Sequence, residues 1–227
     1  MTVYDKLLLL PFFQGIDRKE LETLVSKVRF DFKRHAPGEL IAQENSRRTT
    51  LTLLMEGRMM AQAHSADRRY SIRERLEAPY AIEPERLFGL QQHTERSYEA
   101  LSDCSVLNLQ KDDVLRLCAQ SLVFEINILN ALSTTAQRAK ATIWRNPPTS
   151  IPQKIATFVA NRSLHPAGEK TLYIRMADLA RAIGESRLNV SRTLHTLQSQ
   201  GLIAFCRQEI FIPHLEKLLR WEADDHK

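Results

Sequence analysis

Residues 176–199 read MADLARAIGESRLNVSRTLHTLQS. Met176, Leu179, Ala180 and Ile183 recur at i, i+3, i+4 and i+7, the spacing of one apolar helical stripe. Gly184 follows, the residue that most cheaply takes the left-handed backbone ending a helix. Ser186 then fits an N-cap, because its oxygen accepts from a free helix N–H. In the second helix Val190, Leu194 and Leu197 form a narrow inward stripe. The opposite face carries Leu188, Arg192, His195 and Ser199, with Arg187, Asn189 and Ser191 near the helix start. Such a face donates to phosphates and base edges, and Arg grips guanine O6 and N7 with two bonds. Taken alone, the pattern also fits any helical hairpin with a solvated polar face.

The flanks add context. Leu172, Tyr173 and Ile174 form a strand-like run before the first helix. After Gly201, LIAFCRQEIFIP reads as two strands with a polar turn at Arg207-Gln208-Glu209. A helix–turn–helix with a β-hairpin is the winged arrangement. From Arg162 to Arg207 seven Lys/Arg face three Asp/Glu, so the basic excess is local. Phosphate neutralisation requires that sign.

Composition sets bounds. The 227 residues suffice for two modest domains or one large one. Hydrophobic residues are 43% and charged residues 26%, ordinary for a soluble globular protein. The net charge of +5 permits a polyanionic partner without requiring one. No apolar run approaches the roughly 20 residues of a membrane span. Leu7 to Leu10 is the longest N-terminal apolar run and no small-residue cleavage site follows, so a cytoplasmic location is expected. Cys104, Cys118 and Cys206 are scattered and odd in number. Neither a disulfide framework, a structural metal nor a Cys-ligated iron–sulfur cluster is expected from them. The sequence has no Gly-rich phosphate loop, G-x-S-x-G or H-E-x-x-H and no paired carboxylates at a plausible site, which points away from an enzyme.

The N-terminal 25 residues read as short amphipathic helices, with Asp17 as an N-cap for RKELETLVSKV. From Arg29 to about Gln110 strands alternate with turn signals at Pro37-Gly38, Glu56-Gly57 and Ala66-Asp67, which implies a small antiparallel barrel or sandwich. Ser121 to Arg145 is long and free of Gly and Pro. Leu122, Leu129, Ala136 and Ile143 recur every seven residues with Leu132 and Ala139 between, resembling a coiled-coil seam that Glu125 interrupts. A dimerisation helix is the preferred reading, because helix–turn–helix readers need paired copies to match half-sites about 34 Å apart. Asn146-Pro147-Pro148 breaks the helix and marks a boundary or hinge.

In order of elements, this arrangement resembles the CRP/FNR family of bacterial transcription regulators. The most specific part is ADLARAIGESRLNVSRTLHTLQSQGLI, which is similar to the family pattern A-x-x-x-G-x-S-R-x-x-V-S-R-x-L-x-x-L-x-x-x-G-L-I. The resemblance implies an α+β chain. A double-stranded β-helix (jelly-roll) of cyclic-nucleotide-binding type would occupy residues 1–120. A dimerisation helix and hinge would span 121–146, and a winged helix–turn–helix 147–227. It implies double-stranded DNA and a second copy of the chain as partners, with RNA polymerase a further one if transcription is activated. Ser186, Arg187, Leu188, Asn189, Ser191, Arg192 and His195 would form the DNA-reading set. Leu188 falls where many members carry a base-reading Glu, and Arg175 where a helix-capping Thr is common.

The effector is unknown on this reading. Glu95-Arg96-Ser97 resembles the Arg-Ser pair that grips a cyclic-nucleotide phosphate, with Gly89 the one Gly left in that cassette. Aligning Gly89 puts Leu87 or a neighbour where a carboxylate holds the ribose, so cyclic AMP is not the expected effector. An ion pair with a neighbour such as Glu99 is the preferred role for Arg96. The competing function is a ligand-binding protein whose winged domain docks protein rather than DNA.

Overall fold

The computed structural model describes residues 2–144 and 146–221. It divides into two compact units, residues 1–61 with 76–144 and residues 62–75 with 145–227.

The first unit opens with α1 (Val3–Leu8) and α2 (Arg18–Lys27). Thr2 and Asp5 close a capping box on α1, and the Asp17 side chain accepts from the Glu20 N–H (2.8 Å) to start α2. The strands β1 (Asp31–His35), β2 (Leu40–Ala42), β3 (Thr50–Glu56), β4 (Arg58–His64), β5 (Tyr70–Glu77) and β6 (Tyr80–Ile82) follow. After a short 3-10 turn at Pro84–Arg86 come β7 (Ser97–Ala100) and β8 (Cys104–Gln110). One antiparallel sheet runs β1-β8-β3-β6, and a second pairs β2, β7 and β4 in order. Alternation along β3 and β8 sends Leu51, Leu53, Leu107 and Leu109 to the face that packs on the helices. The α3 helix (Lys111–Gln120) and the long α4 (Leu122–Ile143) complete that core. Phe12 and Phe13 meet Phe124 of α4 edge-on, with centroids 6.3 and 5.0 Å away.

The turns the sequence marked are the turns observed. Gly38 (φ +86°) joins β1 to β2 and Gly57 (φ +95°) joins β3 to β4. A Cβ on Gly57 would meet the Asp103 carbonyl oxygen at 2.4 Å, so this position takes no other residue without backbone movement.

The second unit contains α5 (Ile151–Ala160), β9 (Lys170–Ile174), α6 (Met176–Ile183), α7 (Arg187–Ser199), β10 (Ala204–Cys206), β11 (Glu209–Ile212) and α8 (Leu215–Arg220). Its sheet runs β10-β11-β9-β5, all antiparallel. The fourth strand comes from the hairpin 62–75, far back in the chain. Ile72 of that hairpin is buried in the core built by Ile155, Val159, Leu172, Leu179, Leu194 and Leu215. Glu74, also buried, accepts from the Leu164 N–H (2.7 Å) and pairs with Lys170 Nζ at 3.3 Å. Arg162 Nε donates to the Tyr70 hydroxyl (2.7 Å).

Candidate nucleic-acid interface

The helix pair is built as its residues dictate. Gly184 ends α6 at φ +70°, its N–H reaching back to the last carbonyls. Ser186 Oγ accepts from the Asn189 N–H (3.1 Å) and starts α7 two residues later. Val190, Leu194 and Leu197 are fully buried and fix the rotation of α7 about its axis. That rotation leaves Arg187, Leu188, Asn189, Arg192 and His195 exposed on one side, with Ser191 half-buried at its edge. Leu188 is 60% exposed, an apolar side chain amid polar ones.

The wing stands beside this helix. Its turn holds Arg207 and Gln208, the latter left-handed at φ +73°. Phe205 of β10 lies edge-on to the His195 ring at 5.0 Å, which positions that imidazole. A cleft of about 490 Å³ between α6, α7 and the wing is lined by Arg175, Met176, Arg187, Leu194, Phe205 and Arg207. Arg175 is the N-cap of α6 but makes no capping bond, since guanidinium has no acceptor. Its charge stays exposed at the mouth of the cleft. Arg175 and Arg207, outside the seven residues marked in the sequence, thus share this cleft with Arg187.

Of the residues proposed for an effector, Arg96 and Ser97 stand at the start of β7, and Gly89 lies in the segment before it. Ser97 Oγ accepts from the Glu44 N–H (3.0 Å), and Gly89 sits in an exposed loop with its carbonyl accepting from Gln92 (2.9 Å). Arg96 is buried. It sits near enough to Glu83 to favour that carboxylate's charge, whereas Glu99 is exposed on β7. Glu83, at φ +40°, accepts from the Tyr98 hydroxyl and from the Glu95 N–H, both at 2.9 Å. Arg48 donates to the Ile82 carbonyl (2.7 Å) beside it, and Arg86 pairs with Glu95. Burial pushes the Glu83 carboxyl above its ordinary range, against the pull of Tyr98, Arg48, Arg96 and Arg86.

On α4, Leu122, Leu129, Ala136 and Ile143 are exposed. Leu132 instead packs against the unit's own core, and Ile126, 44% exposed, joins the stripe in its place. Among the described residues no helix is long and apolar enough to cross a membrane, and no cluster of His, Cys, Asp or Glu is arranged to hold a metal.

Comparison with known proteins agrees with this geometry. The family described as Crp-like helix-turn-helix domain matches residues 153–221. The crystal structure of the Thermus thermophilus catabolite activator protein is similar at 19% identity and TM-score 0.50, covering 92% of this chain and 98% of its own. A crystal structure of a putative transcriptional regulator of the CRP/FNR family from Eubacterium rectale aligns at 21% identity and TM-score 0.50, over 94% and 99% of the two chains. Among curated proteins there is no match. The match makes residues 153–221 a Crp-like helix-turn-helix domain, and the two solved structures share the fold of the chain.

Proposed function

We propose that the protein acts as a homodimer on a palindromic operator in the cytoplasm, with α7 of each copy in successive major grooves. The observation that carries this reading is the exposed face of α7. Arg187, Asn189 and Arg192 stand clear of the fold, and among the described residues neither arginine has an ion-pair partner. Such a face is held ready for phosphates and base edges rather than for the protein's own carboxylates. The exposed apolar stripe of α4 supports the dimer. Cyclic AMP is not the effector on this reading. Glu83 already supplies a carboxylate to the buried arginines of the roll, and Ser97 is engaged by backbone.

The test is Arg192→Ala, titrated on an operator selected from genomic fragments and on point-mutant duplexes, with and without cyclic AMP. Specific binding should weaken by about 1–3 kcal/mol, with discrimination relaxed at one base position. The wild type should bind equally with and without the nucleotide. Unchanged affinity and specificity in the variant overturns the assignment of α7, and a sharpened wild-type affinity overturns the exclusion of cyclic AMP.

A further inference from the structure

The register of the winged unit brings three turns to one end of its sheet. Tyr70 of β5 lies opposite Ile174 of β9, and Tyr173 lies opposite Glu209 of β11. Residues 65–69, the hairpin tip, come just before Tyr70. Arg175 comes just after Ile174, at the head of α6. The wing turn Arg207-Gln208 comes just before Glu209, and its Gln208 carbonyl accepts from the Ile174 N–H at 2.9 Å. The tip therefore flanks Arg175 on one side as the wing flanks it on the other.

Arginines recur along this end. Arg68 and Arg69 share a recess of about 350 Å³ with Tyr173, Arg175, Asp178 and Gln208. Arg175 in turn shares the neighbouring cleft with Arg187 and Arg207. The acidic residues nearby are already engaged. Asp67 pairs with Arg69 (3.2 Å) and Asp178 with Arg181 (3.1 Å). The tip is ordered: Asp67 Oδ1 accepts from Ser65 Oγ (2.8 Å) and from the Arg69 N–H (3.1 Å). Its turn holds Arg68 at φ +54°, exposed and, among the described residues, with no carboxylate partner.

We propose that this hairpin tip is a third DNA-contacting element, with Arg68 and Arg69 gripping phosphates beside the stretch read by α7. The proposal rests on the DNA-binding reading above. It follows from continuity with that surface and from the charge a polyanion requires. A backbone contact of this kind sets register and affinity but does not read sequence.

The experiment titrates the full-length protein on operator and scrambled duplexes between about 50 and 200 mM salt. It compares the wild type with the Arg68→Ala/Arg69→Ala pair and the Arg68→Lys/Arg69→Lys pair. In the Ala pair the slope of log affinity against log salt should shrink by about two, with equal weakening on both duplexes. The Lys pair should keep the wild-type slope, which separates lost charge from a disturbed turn. A wild-type slope in the Ala pair overturns the tip contact alone. A weakening in both pairs, or one confined to the operator, also overturns it. A wild type that binds neither duplex with salt dependence removes the DNA-binding reading and this proposal together.

Discussion

Tyr98 and Glu83 show how single residues decide what the roll can hold. Tyr98 is fully buried on β7, and its hydroxyl donates to Glu83 Oε1. Burial lifts the Glu83 carboxyl above its ordinary 4.5, and the hydrogen bond works against that lift. Removing the hydroxyl in Tyr98→Phe should therefore raise the Glu83 pKa further. A carboxyl whose folded pKa exceeds its unfolded one contributes stability below the unfolded value and loses it as pH rises through the folded value. The variant should thus be less stable than wild type by about 1–3 kcal/mol at neutral pH, with the gap narrowing near 4.5. Urea unfolding at the two pH values checks this, and a gap that widens toward acid contradicts it. The sequence offered Leu87 as occupant of the family's carboxylate position. It did not reveal Glu83 among the arginines, because that meeting depends on a left-handed backbone at a non-glycine residue.

At the level of the element, α4 presents two faces with different owners. Phe124 and Ile128 lie in the core of the first unit, and Asn127 Nδ2 donates to the Phe12 and Gln14 carbonyls. Leu122, Ile126, Leu129 and Ile143 stay exposed along the other side. The heptad of Leu122, Leu129, Ala136 and Ile143 was legible, because a repeat of seven keeps residues on one face. The position of Leu132 was not. It lies four residues beyond Ile128 and eight beyond Phe124, so it follows them into the core. A seven-residue spacing cannot say which flanking apolar position turns outward, and here Ile126 does. Leu129→Glu places a charge on the exposed stripe without touching the core. It should leave the melting of the roll nearly unchanged, convert dimer to monomer in light scattering, and weaken operator binding at least tenfold, the step worth about 1.4 kcal/mol. A dimeric variant removes the stripe from the interface. Helix caps and tight turns were read most securely at this scale, since Asp17, Ser186, Gly184 and Gly57 act on their own few neighbours.

Across the whole molecule, the sequence order of roll, long helix and winged domain matches the observed order of elements, but the hairpin 62–75 escapes that order. In the sequence, residues 70–77 fall among the strands expected of the roll. Only pairing with β9, about a hundred residues later, makes Glu74 a buried partner of Lys170. Non-local strand pairs leave no short-range signature, so neither composition nor periodicity could assign them. The consequence concerns what counts as a complete DNA-binding unit. A fragment of residues 145–227 lacks β5, leaving one edge of β9 open and the Ile72 site empty. Losing a buried side chain such as Ile72 costs about 1.5–3 kcal/mol. Taking away one member of a buried ion pair costs about 3–5 kcal/mol, less where the orphaned Lys170 regains water. Together these approach the 5–15 kcal/mol that holds a typical domain folded. The fragment should therefore melt without a sharp transition, and fusing residues 62–75 to it through a flexible linker should restore cooperative melting. Calorimetry of the two proteins decides the matter: equal, sharp transitions would mean that the winged domain is complete from residue 145 onward and that the hairpin merely leans on it.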